Sequence, residues 1–200
     1  AMELNKRIIC MDELVPAILT AGFPEAKSLL YQMIPVYLPS LINQHSTTHY
    51  ISESELRGLP ADVCPLPSFE AGVAIDDDYP KVGCCMLTCN MPCDGSIMTT
   101  AVQDRRHGLP THPVNVPLRW LQDEVQDYAV EELLSAIRFL EEQTGMSYDW
   151  DKLREACENW NEEQKLKFEK WEFNRTKYPP HTGSSAWMYR IFEHQVVCVS

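Results

Sequence analysis

The sequence predicts an α/β fold: a short parallel sheet flanked by helices, with a long C-terminal helical hairpin. Three observations carry that reading. The run "KVGCCMLTCN" has the length of one strand and the unbroken apolar character of a strand buried on both faces. Strand-like and helix-like segments alternate up to about residue 117, as they do in parallel sheets. Beyond that point, two long stretches repeat apolar residues at helical spacing.

Residues 1–200 read as one domain, with a lead over 1–11, an α/β core over 12–117 and a helical part over 118–200. The opening "AM" reads as a tag remnant and residues 1–11 as a flexible lead, without the long apolar core of a signal peptide. "MDELVPAILTAGF" opens a helix at Asp12, and "PEAKSLLYQM" a second, with Pro24 in its first position. "IPVYLPSL" reads as a short buried strand near 34–38, and "NQHSTTHYISESE" as a polar loop. Cys64 then sits among Pro60, Pro65 and Pro67. A strand over 82–88 leads to a tight turn at Asp94-Gly95 and a helix closed by Gly108. A further strand is expected at 113–116. Val125, Ala129, Leu133, Ala136, Ile137 and Leu140 mark the apolar face of a helix near 121–143, stopped by Gly145. Asp149 or Asp151 caps another near 150–176, whose apolar face runs through Leu153, Cys157, Trp160, Phe168 and Trp171. "KYPPHTG" breaks it, and "SSAWMYRIFEHQ" starts one more.

Charge excludes some partners. Seventeen basic against 29 acidic residues give a formal charge of -12, which argues against nucleic acid and against an anionic membrane surface. An anionic ligand needs a local basic patch, such as Arg105-Arg106 with Arg119. Pro and polar residues break every apolar stretch, so no membrane span is expected. The eight cysteines are Cys10, Cys64, Cys84, Cys85, Cys89, Cys93, Cys157 and Cys198. With no export signal, they indicate a reduced, cytoplasmic protein. No CxxC pair is present, so a metal would have to be held by loops distant in sequence.

Cys93, in "PCDG", is the sharpest candidate. It is either a small residue packed at a turn or a ligand. A strand-end turn beside a helix N-terminus offers N–H groups and a positive dipole end that favour a metal thiolate. Cys64 shares that ambiguity. Cys89 either packs or points at the same site as Cys93. Adjacent Cys84 and Cys85 are expected to face opposite ways into the core, and Cys157 and Cys198 to pack on apolar faces. In the rival chemistry, a Cys nucleophile with a His base, His107 and His112 lie 14 and 19 residues beyond Cys93, at the far end of a helix and on the next strand.

Four segments occur in an order that resembles the 2-hydroxyacyl-CoA dehydratase and benzoyl-CoA reductase family: "FPEAKSLLYQMIPVYLPS", "LPADVCPLPSFEAG", "NMPCDGSIMTTAVQDRRHGLPTHPVNVP" and "DYAVEELLSAIRFLEEQTGMSYDWDKLREACENWNEEQ". The resemblance covers nearly the whole chain from about residue 12. It implies the N-terminal half of a subunit whose C-terminal half has no counterpart here. It implies an oxygen-sensitive iron–sulfur cluster, commonly 4Fe-4S, held by three cysteines. Two of these fall on Cys64 and Cys93 and the third on the missing half, with Cys89 as a substitute. The cluster would be incomplete, so the chain alone is expected to lack it and to be inactive.

The implied partners are a homologous second subunit, an ATP-dependent iron–sulfur activator and an acyl-CoA substrate. The implied reaction expels water from an (R)-2-hydroxyacyl-CoA through a ketyl radical after one-electron activation. Alternatives are a benzoyl-CoA-type aromatic acyl-CoA reductase, a double-cubane-cluster reductase, or a non-catalytic, cluster-free domain. Tyr31-Gln32 and "PSFEAG" depart from the family's usual residues, so no acyl specificity follows from the resemblance.

Overall fold

Five consecutive buried residues, Cys85–Cys89, form a strand that must be covered on both faces. The computed structural model describes residues 7–10, 19–30, 44–76, 83–90, 95–119 and 121–186. The strands are β1 (Arg7–Cys10), β2 (Lys27–Leu30), β3 (Cys85–Cys89) and β4 (Thr111–Val114). They form one parallel sheet in the order β2-β1-β3-β4. Ile8 lies between Ser28 and Cys85, and β3 pairs with β4 from Met86↔Thr111 to Cys89↔Val114.

The helices are α1 (Gln44–Leu56), α2 (Pro65–Asp76), α3 (Gly95–His107), α4 (Asp123–Thr144) and α5 (Trp150–Glu172). Alternation along β3 sorts its two faces. Cys85, Leu87 and Cys89 join Ile8, Val114 and the Ala136, Ile137 and Leu140 of α4 in one core cluster. On the other face the Thr88 hydroxyl meets that of Thr100 in α3 at 2.7 Å. β4 is the edge. The Met86 N–H donates to the Pro110 carbonyl, so residues 110, 112 and 114 turn their polar backbone toward β3. Pro113 therefore lies on the outer side, where its missing N–H costs no ladder bond and blunts the edge.

Two close approaches need glycine. A Cβ on Gly72 of α2 would collide with the Tyr50 carbonyl oxygen of α1, so these two helices meet backbone to backbone. A Cβ on Gly22 would collide with the Tyr148 ring, which packs edge-on against Phe23 at 5.0 Å. The Gly22 carbonyl also accepts from the Asp149 N–H at 2.8 Å, which ties the α4–α5 turn to the early chain. Gly145 ends α4 with φ 71°, and the Asp149 carboxylate caps α5 by accepting from the N–H groups of Asp151 and Lys152.

The parallel sheet, the strand buried on both faces and the long helices agree with the sequence reading. Three local expectations are corrected. Within the expected lead over 1–11, Arg7–Cys10 is an inner strand of the sheet. Pro24 does not start a helix. It opens a turn in which the Ala26 N–H donates to the Phe23 carbonyl at 2.8 Å, and Lys27–Leu30 then pairs with β1. Pairing in the sheet overrides the helical preference of a four-residue run. The expected polar loop is helix α1, which docks on α2 through a small-residue contact rather than an apolar stripe. The strand expected near 34–38 lies outside the described residues. α5 buries none of its residues, and Phe168 and Trp171 on its expected apolar face are 72% and 55% exposed.

Gly72→Ala is expected to lower stability by about 1–3 kcal/mol, because a backbone carbonyl cannot step aside for the new methyl. Gly22→Ala should cost a similar amount. The Tyr148 hydroxyl is buried without a hydrogen-bond partner, so Tyr148→Phe is expected to be neutral or stabilising. Urea unfolding of the three variants checks this, and a destabilised Tyr148→Phe would contradict the orphaned hydroxyl.

Candidate functional site

In a parallel sheet, each helix runs back against the strands, so a helix that follows a strand begins at the strands' C-terminal ends. α3 follows β3 and begins there. α2 precedes β3 and runs the same way as α3, so its N-terminus lies at that end too. The two N-terminal turns touch: the Thr99 hydroxyl, fully buried, reaches the Pro67 carbonyl at 3.5 Å and its own Gly95 carbonyl at 3.4 Å. Cys64 immediately precedes α2. Its carbonyl accepts from the Ser68 N–H at 3.5 Å and the Ser68 hydroxyl at 3.4 Å, and its side chain is exposed. Pro65 fits the first helical position, where an N–H would have no partner. Ser54 of α1 donates from its hydroxyl to the Ser68 carbonyl, so three helices fix the turn that carries Cys64.

The strand end is pinned as well. The Asn90 side chain accepts from the Val116 N–H at 2.8 Å and donates to the Val116 carbonyl at 2.9 Å. One amide thereby extends the β3–β4 ladder a rung beyond Cys89↔Val114. Asn90 escapes the sequence reading. Its only signal is an amide just after an apolar run and before Pro92. Beside it a groove of about 290 Å³ opens between α3 and the ends of β3 and β4, bordered by Cys89, Asn90, Asp104 and Thr111. Its polar groups are engaged locally, the Thr111 hydroxyl donating to the Asp104 carboxylate at 3.1 Å.

Of the three candidate ligands, Cys64 stands exposed at the α2 N-terminus. Cys89 is 2% exposed in the core cluster. Cys93 lies outside the described residues, in the segment between Asn90 and Gly95. Among the described residues, no three His, Cys, Asp or Glu side chains come together as a metal site. Cys84 and Cys85 depart from expectation. A bend at Cys84 brings their sulfurs within 3.7 Å of each other instead of to opposite faces. Cys157 is exposed rather than packed, and Cys198 lies outside the described residues.

His112, weighed as a base, is a packing residue. Its ring stacks on Phe139 of α4 at 5.2 Å, and its Nε2 is buried without a hydrogen-bond partner. Burial lowers its pKa below the ordinary imidazole value, with the Glu132 carboxylate working against that shift. No described helix is long and apolar enough to cross a membrane.

The family described as 2-hydroxyglutaryl-CoA dehydratase, D-component, matches residues 22–197 of the chain. The alpha subunit of (R)-2-hydroxyglutaryl-CoA dehydratase from Acidaminococcus fermentans is 31% identical over 121 residues. That alignment takes in 58% of this chain and 24% of the relative, so the chain spans about a quarter of that protein's length.

His112 carries a pH dependence. Its folded-state pKa is depressed, so as pH falls the unfolded chain binds the proton first. The stability associated with the neutral ring is present above an unfolded value of about 6.5 and is lost as pH drops through the folded value. The melting temperature should therefore fall between pH about 7.5 and about 5.5, and fall less in His112→Phe, which keeps the stack on Phe139. Equal slopes in the two proteins would remove His112 as a source.

Proposed function

The chain belongs to the 2-hydroxyglutaryl-CoA dehydratase D-component family, and from that premise we propose that it is the iron–sulfur part of a 2-hydroxyacyl-CoA dehydratase subunit. One observation carries the reading. Cys64 and Cys93 precede two helices whose N-terminal turns are bonded to each other through Thr99 and Pro67. Two helix N-termini side by side present N–H groups and positive dipole ends, which suit an anionic thiolate-bound group.

The donor chemistry fits in kind and falls short in number. Thiolates are the usual ligands of iron–sulfur centres, but Cys64 and Cys93 are two where a cubane has four corners. A third thiolate from outside these 200 residues would complete the three-cysteine set that the family resemblance implies, and would leave one corner of the cubane without a cysteine. The proposal gives Cys89 a packing role, in keeping with its place beside Leu87 and Val114 in the core cluster. When bound, such a cluster supplies single electrons at low potential.

This chain's own residues do the positioning. Ser68 and Ser54 hold the turn at Cys64, Thr99 joins the two helices, and Asn90 fixes the strand end from which the Cys93 segment departs. In the proposed reaction, an ATP-dependent activator delivers one electron, and water leaves an (R)-2-hydroxyacyl-CoA through a ketyl radical. A homologous second subunit is the proposed partner, and the cytoplasm the proposed location.

Anaerobic reconstitution with iron and sulfide tests this. The chain alone is expected to retain well under the about four irons of a full cubane, and to reach that number when the remaining part of a family subunit is supplied. Cys64→Ala and Cys93→Ala should each abolish that gain, and Cys89→Ala should leave it intact. Retention of about four irons by the chain alone, lost in Cys89→Ala, would overturn the assignment and make Cys89 a ligand. No iron bound under any arm would overturn the cluster itself.

A further inference from the structure

Cys84 and Cys85 sit at the opposite end of β3 from the candidate ligands. Neighbours on a regular strand point to opposite faces. Here the bend at Cys84 places the two sulfurs 3.7 Å apart, in van der Waals contact. The two thiols differ in access. Cys84 is partly exposed, whereas Cys85 is fully buried, opens β3 and pairs with Ile8. That is the arrangement of an attacking thiol beside a resolving one.

We propose that Cys84 and Cys85 form an oxidisable vicinal dithiol that reacts with hydroperoxides. The Cys84 sulfur attacks the peroxide. An S–O bond forms, the O–O bond breaks, and the alcohol or water leaves with a proton, which takes Cys84 to the sulfenic acid at the expense of the peroxide. The Cys85 sulfur then attacks that sulfur. An S–S bond forms, the S–OH bond breaks, and water carries away the Cys85 proton. The sum is two thiols and one hydroperoxide giving one disulfide, one alcohol and one water.

Adjacent Cα atoms lie about 3.8 Å apart, closer than the usual span of a disulfide, so the ring is strained and thiols reduce it readily. Closing it draws the Cys85 side chain out of the core cluster at the first rung between β1 and β3. Oxidation therefore loosens the sheet, and reduction restores it.

The test treats the protein with a low dose of hydrogen peroxide under non-denaturing conditions. It is then alkylated after unfolding, digested with chymotrypsin, which cuts after Leu87, and mapped by mass spectrometry. The expected product is a peptide holding Cys84 and Cys85 that has lost about 2 Da and takes no alkylating label, together with a lower melting temperature. Dithiothreitol should reverse both changes. In Cys85→Ala no resolving thiol remains, so Cys84 should accumulate sulfinic acid roughly tenfold over the wild type. In Cys84→Ser, Cys85 should stay fully alkylatable, which tests the same pair if the alanine variant folds poorly. Two outcomes overturn the proposal: both thiols remaining alkylatable after peroxide, and Cys84 reaching the sulfinic acid equally in wild type and Cys85→Ala.

Discussion

Everything described here hangs from the burial of β3 on both faces. A strand with no exposed side chain among Cys85–Cys89 needs an apolar layer above it and another below. α4 supplies one through Ala136, Ile137 and Leu140, and α3 supplies part of the other through Thr100. A strand covered by helices on both sides is most simply served by parallel neighbours, whose crossovers place the helices there. The order β2-β1-β3-β4 is one such solution, with the chain reversing its direction of travel across the sheet between β1 and β3. That reversal leaves the strands' C-terminal ends as the place where loops open, and Cys64 and the first turn of α3 both lie there.

Around this strand the fold is held by contacts that tolerate little change. Backbone meets backbone at Gly72 and Tyr50, and backbone meets ring at Gly22 and Tyr148. Each glycine lets a sequence-distant element approach closely beside an aromatic pair, Tyr50 with Phe69 in one case and Tyr148 with Phe23 in the other, which suits a protein whose α1 has almost no amphipathic character. The ion pairs along α5, such as Lys152–Glu155 and Lys165–Glu162, are exposed. Pairs of that kind contribute little each.

Periodicity makes some of this legible in the sequence. The apolar run of β3, the face of α4 and the stop at Gly145 are local signals, because burial on two faces, helical spacing and positive φ each leave a mark within a few residues. What the sequence hides is long-range. Arg7–Cys10 is polar at its start and short, and only its partners β2 and β3 make it a strand. Lys27–Leu30 follows a proline that equally suits a helix start, and pairing with β1 decides the matter. α1 reads as a loop because its polar residues advertise exposure, while the contact that seats it is made by the glycine of another helix. At the candidate site, Cys64 stands out among prolines, but Asn90 does not, since an amide that replaces a ladder rung looks like any loop asparagine until its partner Val116 is in view.

The two ends of β3 place opposite demands on sulfur. At the C-terminal end, the proposed ligands need fixed thiols, and Asn90, Ser68 and Thr99 hold their surroundings with hydrogen bonds that do not depend on redox state. At the N-terminal end, Cys84 and Cys85 touch because the chain bends there. Cys89 lies four residue steps beyond Cys85 along β3, a span of about 13 Å at the usual rise. That distance is too long for the two thiol populations to exchange directly, so coupling between them has to pass through the sheet. The rung Ile8↔Cys85 lies at one end of that path, and Cys89↔Val114, extended by Asn90, lies at the other. Loosening the first rung shortens the ladder from the end remote from the site and leaves the pinned end for last. A strand built in this way reports oxidation as lost stability before it loses the geometry of its candidate ligands.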